Sequence, residues 1–210
     1  MTAFVTGWLI VSMDILLDVA AIRLSGGFWV WEVREITLDV THHMFMSVIW
    51  VNFLGYLFET PGIVYLTLRA WEREEGSNGR KALMTIGIGI AGVVIVGIAS
   101  LIALWLNSIT DEWFSCITFI LLWSFILVRL IMQVIRKRGE LTLKGNKDWV
   151  QLIFWAAMYG YCLMSLWSLE ILQAVPWYGI IAVLLTAGTL LLGASNMGIN
   201  SFHSKEGEEQ

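Results

Sequence analysis

The amino-acid sequence predicts an all-α protein that crosses a membrane several times, and two observations carry this prediction. Hydrophobic residues make up 58% of the 210 residues and charged residues only 14%, a balance typical of membrane proteins. Crossing about 30 Å of hydrocarbon takes about 20 apolar residues as a helix, and six windows qualify: 4–24, 44–70, 82–107, 114–135, 149–172 and 177–200. We expect residues 1–200 to form a single transmembrane domain and residues 201–210 an acidic tail.

Lysine and arginine residues gather in two connections between these windows and predict the orientation. Nine of them lie in the connections 69–81 and 136–148, whereas only two, Arg23 at the end of the first window and Arg34 in the connection after it, lie on the opposite side. Because basic loops stay on the cytoplasmic side, we expect both termini in the cytoplasm and the first loop outside. The sequence indicates a multi-pass protein of the cell membrane, without a nucleic-acid-binding signature.

The first window contains two carboxylates, Asp14 and Asp18, one helical turn apart. Inserting a carboxylate into hydrocarbon costs at least about 2.5 kcal/mol, so such residues usually serve a function. The i, i+4 spacing places both on one helix face. Two carboxyl groups so close in a low dielectric do not both ionise, so we expect one to keep its proton near neutral pH. Hydrogen bonds to neighbouring helices, or a pair with Arg23, would explain the same residues without catalysis.

The second window repeats this pattern with a stripe of polar and small residues. Asn52, Gly55, Tyr56 and Glu59 follow one another at i, i+3, i+4 and i+7, which is one face of a helix. Glu59 is either catalytic or the buried ion partner of Arg129, which lies at about the same depth in the fourth window. An intramembrane charge usually has an opposite partner, so we expect a structural ion pair between Glu59 and Arg129.

The connection between the two windows carries aromatic residues and possible metal ligands. Trp29 and Trp31 suit either the aromatic belt at the membrane interface or a lid over a site. Residues 32–43 have the spacing of an amphipathic helix. Asp39, His42 and His43 are ligand types, and a metal site formed by them stays open. An exposed polar face explains the same three residues, so we predict no metal ligand.

Three linked motifs in this part of the chain resemble a known family. They are Asp14-Ile-Leu-Leu-Asp18, Gly27-Phe-Trp-Val-Trp31 and Val48-Ile-Trp-Val-Asn52-Phe-Leu-Gly55-Tyr56. In order and spacing they resemble the motifs of the membrane carotenoid-biosynthesis proteins that include the carotenoid 1,2-hydratases and bisanhydrobacterioruberin hydratase. The chain has Val19, Ser47, Ile49 and Tyr56 where that family has Pro, Gly, Pro and Trp.

The resemblance implies a membrane enzyme that modifies carotenoids or other isoprenoids, by acid-catalysed hydration of the terminal alkene of an acyclic carotenoid. One of Asp14 and Asp18 would be the acid, and the other would orient water together with Asn52. No cofactor is required, and the partners are membrane lipid and the hydrophobic substrate. The residues assigned to substrate binding are Trp29, Trp31, Tyr56 and Glu59, of which the two tryptophans would face the cation.

Three alternatives stay open. A prenyl-chain cyclase or isomerase would begin with the same protonation. A small proton-coupled transporter would need Asp14, Asp18 and Glu59 to form a continuous path. A lipid-binding or assembly subunit, in a homo-oligomer or a larger membrane complex, would have no turnover. A hydrophobic tunnel that ends at Asp14 would favour the enzyme, and a flat surface with filled helix interfaces would favour the subunit.

Overall fold

The computed structural model describes residues 2–24, 36–71, 78–136 and 149–194, and most of these residues are helical. The elements are α1 (Thr2–Ala21), β1 (Met44–Phe45), β2 (Val48–Ile49), α2 (Trp50–Trp71), α3 (Asn78–Ile109), α4 (Trp113–Arg136), α5 (Trp149–Ser168), α6 (Ile171–Ala174) and α7 (Pro176–Ala194). Among the described residues, five helices are long and apolar enough to cross a membrane, namely α1, α3, α4, α5 and α7. The protein is therefore an all-α, multi-pass membrane protein.

Helix α3 shows most clearly which solvent this fold requires. Only 6% of its membrane-span window is buried, and its exposed side chains are large and apolar, as at Leu83, Val93 and Leu101. Soluble monomers rarely expose apolar patches larger than a few hundred Å². Lipid tails, in contrast, are as apolar as leucine, so exposing such a face to them carries no solvation cost. The exposed face of α3 is therefore a lipid-facing surface.

The second predicted window begins as a hairpin instead of a helix. Met44 pairs with Ile49 and Phe45 with Val48 in an antiparallel arrangement, and the turn residues Met46 and Ser47 have φ angles of 49° and 68°. Two consecutive positive φ angles are typical of a two-residue hairpin turn and are incompatible with a right-handed helix. Helix α2 therefore starts at Trp50, and the predicted helix start at Met44 is wrong.

Helix α2 has 22 residues, about 33 Å at about 1.5 Å per residue, but it is not among the five helices that are apolar enough to cross a membrane. Its stripe of Asn52, Glu59 and other polar residues lowers its apolar character. The prediction of six spans is therefore supported for five windows. The span formed by α2, and the cytoplasmic position of both termini, stay predictions.

The predicted amphipathic helix over residues 32–43 is wrong in its described part, residues 36–43. This segment is not helical. The amide of Thr41 donates to the carbonyl of Met44 at 2.9 Å, and the amide of Met46 donates to the carbonyl of Asp39 at 2.8 Å. The hydroxyl of Ser47 also accepts from the Thr37 amide at 2.8 Å and donates to the Thr37 carbonyl at 3.1 Å. These bonds to the hairpin replace the partners that a helix would supply.

The other windows coincide with helices whose ends differ by a few residues. Helix α3 extends beyond residues 82–107 on both sides and has 32 residues, about 48 Å of helix. The window 149–172 is divided at Glu170, whose φ of 57° separates α5 from the short α6. Residues 195–200 of the last window lie outside the described residues, as does the predicted acidic tail.

The chain divides into two compact units, Met1–Ile15 with Trp31–Val128 and Leu16–Val30 with Arg129–Gln210. In the first unit α2 packs along α3, and α1 approaches α2 at Gly7, where a Cβ atom would lie 2.8 Å from Cδ of Pro61. The Trp8 and Trp123 rings, 5.3 Å apart, join α1 to α4. In the second unit α5, α6 and α7 pack together. The single domain over residues 1–200 stays a prediction.

Candidate functional site

The first unit brings together two of the predicted catalytic residues. Asp14 on α1 is only 6% exposed, and the side-chain amide of Asn52 on α2 donates a hydrogen bond to its Oδ2 atom at 3.1 Å. The same two helices also approach closely at Gly7 and Pro61, about two turns away along each helix. A buried carboxyl group therefore meets an amide between two helices, an arrangement that fixes the rotamer of both side chains.

A second polar contact anchors the same part of α1. Ser12 is completely buried, and its hydroxyl accepts a hydrogen bond from the indole nitrogen of Trp123 on α4 at 3.1 Å. Polar bonds between helices are favoured in hydrocarbon because no water replaces them. Helix α1 is therefore held by hydrogen bonds on two different sides, from α2 through Asp14 and from α4 through Ser12.

The second unit contains the other predicted carboxylate, Asp18, which is only 2% exposed. Tyr178 on α7 is completely buried, and Asp18, Arg23 and Cys162 all lie within electrostatic reach of its hydroxyl. The guanidinium of Arg23 donates a hydrogen bond to the backbone carbonyl of Val19 at 2.7 Å. Burial lowers the pKa of Arg23, and the nearby Tyr178 opposes this shift in part. Arginine remains protonated even so, so both a cation and a carboxyl group act on the Tyr178 hydroxyl.

The residues predicted to bind substrate are less completely defined. Tyr56 and Glu59 on α2 are both half-buried, and Glu59 lines an apolar groove of about 220 Å³ between α2 and α3, together with Gly55 and Phe58. Trp29 and Trp31 lie outside the described residues. Glu59 belongs to the first unit and the exposed Arg129 to the second, and the ion pair between them stays a prediction.

A cluster of histidines and carboxylates lies where the hairpin segment meets the turn between α3 and α4. Nε2 of His42 is 3.4 Å from Oδ2 of Asp111, and Nδ1 of His43 is 3.2 Å from Oε2 of Glu112. The His42 ring stacks on Trp113 with 4.5 Å between centroids and 4° between planes. These contacts put both loops at the same end of the first unit. We call His42, His43, Asp111 and Glu112 the histidine–carboxylate cluster.

The structure changes which residues could form the metal site that the sequence left open. His42, His43 and Asp111 each offer a ligand atom, and these atoms all lie within 4.8 Å of one another. Asp39, the third residue of the alternative, is not in this group. Asp111, from the turn between α3 and α4, takes its place.

Three cavities in the first unit have well-defined linings. One of about 310 Å³ is bordered by His43, Asn107, Asp111, Glu112 and Ser115 among others. The second is the α2–α3 groove, and the third, of about 550 Å³, lies between Arg69 and Tyr65 on α2 and the first half of α3. None of these three is lined by Asp14, so none of them is the tunnel ending at Asp14 that would favour the enzyme over the subunit.

The sequence-based predictions missed Asp111, Glu112 and Tyr178. Tyrosine inside an apolar window was a usable signal, because its hydroxyl needs a partner when buried. The two acidic residues of the α3–α4 turn gave no comparable signal, since their partners lie 69 positions away in the sequence.

A scan against models of protein families, a search of the curated proteins and a search of the solved structures each found no match. The interpretation of the site therefore rests on its own residues and on the motif resemblance described above.

Proposed function

We propose that this protein is a membrane enzyme that adds water to the terminal alkene of an acyclic isoprenoid, with a carotenoid as the substrate class. The contact that supports this function best is the hydrogen bond from Asn52 to the buried Asp14. An acid for carbon protonation has to be held in place and shielded from bulk water. Asp14 meets both requirements on a helix apolar enough to cross a membrane.

The reaction needs only a proton and a water molecule. The carboxyl group of Asp14 gives its proton to the inner, less substituted carbon of the terminal double bond, whose π electrons form the new C–H bond and leave the cation on the more substituted terminal carbon. The resulting tertiary cation is attacked by water, and the oxonium group that forms returns a proton to the Asp14 carboxylate. Water has then been added without any change in overall oxidation state, so no cofactor is needed.

Asn52 and Asp18 serve as supporting groups in this scheme. The Asn52 amide donates to one oxygen of Asp14, and the scheme assigns the transferred proton to the other oxygen. Asp18 keeps the role assigned from the sequence, orientation of the attacking water. Trp29 and Trp31 keep their role of facing the cation through their π systems.

The hydrophobic substrate reaches such a site from the lipid phase of the cell membrane. The groove lined by Gly55, Phe58 and Glu59 is predominantly apolar, and it begins at Val51, next to Asn52 on α2. It supports Glu59 as a residue at the substrate, and an isoprenoid chain lying along α2 would enter there.

Ser47 stands where the family that the motifs resemble has glycine, and in this chain it adopts a φ of 68°. Glycine is the residue with the lowest cost at a positive φ. A turn that needs such a φ therefore accounts for the family's glycine, and in this chain the two bonds of Ser47 to Thr37 offset part of the cost.

Expression of the chain in a host that accumulates acyclic carotenoids tests this function. We expect a product heavier by one water, detected by mass spectrometry of the extracted pigments, and at least about 100-fold less of it with Asp14→Asn, because a positioned acid contributes about 10²- to 10⁴-fold. Asn52→Leu should lower the yield as well. Asp39→Asn removes an exposed carboxylate of the same unit and serves as the matched control, with unchanged yield.

Two other outcomes have clear meanings. A new product of unchanged mass would replace hydration by cyclisation or isomerisation of the prenyl chain. Unchanged pigments together with helical, monodisperse protein in detergent would refute enzymatic hydration and leave the transporter and the lipid-binding subunit.

A further inference from the structure

We propose that His42, His43 and Asp111 bind a divalent transition-metal ion, with Zn²⁺ as the best-suited ion. Imidazole nitrogen and carboxylate oxygen are the ligand atoms that Zn²⁺ takes at about 2.0–2.2 Å. In tetrahedral geometry such atoms lie about 3.3 Å apart. The 3.4 Å between Nε2 of His42 and Oδ2 of Asp111 already has this spacing. The other ligand atoms, within 4.8 Å, reach it by small side-chain rotations.

The residues around the three ligands suit a metal site. Glu112 contacts Nδ1 of His43 at 3.2 Å. A histidine that binds a metal through one ring nitrogen usually bonds a carboxylate through the other nitrogen, and this bond orients the ring. Trp113 stacks on His42 and restricts the rotation of that ring. Glu112 and Trp113 are therefore positioning residues, which reduce the conformational entropy that metal binding would otherwise remove.

The adjoining cavity provides an independent indication that a ligand belongs here. Ser115 is completely buried, and its hydroxyl has no hydrogen-bond partner among the described residues. Ser115 borders the same 310 Å³ cavity as His43, Asp111 and Glu112. Buried hydroxyl groups are nearly always satisfied, so this one points to a bound species. Three protein ligands also leave one tetrahedral position for a water or another small ligand, as in open zinc sites.

Binding would join two segments that are distant in sequence. His42 and His43 precede the hairpin, whereas Asp111 lies in the turn between α3 and α4. The hairpin leads directly into α2, so a bound ion would fix the entry of α2 relative to α3. This role is separate from the proposed hydration, which uses no metal.

Zinc binding is tested with the purified full-length chain in detergent, after removal of metal with a chelator. We expect one equivalent of Zn²⁺ in a calorimetric titration, and Co²⁺ bound in its place should give the visible absorption of a tetrahedral nitrogen and oxygen site. Asp111→Asn and His42→Ala should each weaken Zn²⁺ affinity at least tenfold. Glu112→Gln should weaken it about 10- to 100-fold, as for other carboxylates behind metal-binding histidines.

Two matched variants separate a built site from adventitious binding to surface side chains. Asp39→Asn lies three residues from His42 but outside the group of ligand atoms, and His203→Ala removes the third histidine of the chain. Both should keep the affinity of the original chain within about twofold. Absence of stoichiometric Zn²⁺ binding by the original chain overturns the proposal, and so does equal affinity in Asp111→Asn and Asp39→Asn when circular dichroism shows both folded.

Discussion

The close approach of α1 and α2 at Gly7 predicts a large effect from the smallest substitution. In Gly7→Ala the new Cβ would lie 2.8 Å from Cδ and 2.9 Å from Cγ of Pro61, whereas carbon atoms pack best at about 3.5–4.0 Å. The ring of Pro61 cannot rotate away, so the helices have to separate by up to about 1 Å. Overpacking of this kind costs about 1–3 kcal/mol. Alanine gains about 0.5–1 kcal/mol over glycine inside a helix, so we expect a net destabilisation of up to about 2.5 kcal/mol, and of about 1–3 kcal/mol relative to a glycine-to-alanine change that meets no clash.

Equilibrium unfolding in detergent micelles, followed by circular dichroism, measures this effect. A loss of 1 kcal/mol lowers Tm by about 2–4 °C for a chain of this size. Gly97→Ala on α3 is the matched control, because no atom lies within 4 Å of a Cβ built there. It should be as stable as the original chain or slightly more so.

A double-mutant cycle with Pro61→Ala separates the steric clash from other causes. Removing the ring should recover most of the stability lost in Gly7→Ala, with a coupling free energy of at least about 0.5 kcal/mol. If Gly7→Ala is as stable as Gly97→Ala, or if Pro61→Ala gives no recovery, the helices do not meet at this point and the reasoning is wrong. The same separation of α1 from α2 should lengthen the Asn52–Asp14 bond and reduce any hydration activity in Gly7→Ala.

Two further predictions concern polar bonds in the same unit. Trp123→Phe leaves the buried Ser12 without its indole donor and should lower the free energy of unfolding by about 1–3 kcal/mol. In a Ser12→Ala background the same substitution should cost less. Equal costs in both backgrounds would contradict the hydrogen bond. Ser47→Ala keeps the positive φ but loses both bonds to Thr37, while Ser47→Gly relieves a backbone strain of about 1–2 kcal/mol. Glycine should therefore be the more stable of the two variants by thermal unfolding, and the opposite order would show that the turn conformation is wrong.

The sequence was sufficient to predict the membrane-crossing helices, because a lipid environment allows few backbone conformations. Lipid offers no hydrogen bonds, so an apolar run of about 20 residues has to satisfy its backbone within itself. That is why the windows around α3, α4, α5 and α7 agree with the structure to within a few residues. Asp14 and Asn52 were grouped in one candidate site from their motifs and similar depth, but the hydrogen bond between them depends on the packing of α1 against α2.

The hairpin and the histidine–carboxylate cluster could not be predicted from the sequence in the same way. The turn at Met46 and Ser47 lacks the Asn-Gly or Asp-Gly pair that usually marks positive φ angles, and its apolar neighbours continue smoothly into α2. His42 and Asp111 are separated by 69 positions, and periodicity gives the height of a residue but not the neighbour of a helix. Sequence proximity therefore indicates Asp39 as the third ligand, whereas in the folded chain Asp111 lies beside the two histidines.

The length of α3 determines the surroundings of the turn that follows it. Its apolar segment of 31 residues is about 46 Å long, and even at about 40°, the upper end of the usual tilt, it rises about 35 Å along the bilayer normal. This exceeds the hydrocarbon thickness of about 30 Å. Charged groups avoid hydrocarbon, so the excess places Asp111 and Glu112 among the lipid headgroups. Lipid headgroups would then form part of the surroundings of the metal site, and membrane composition would influence its occupancy.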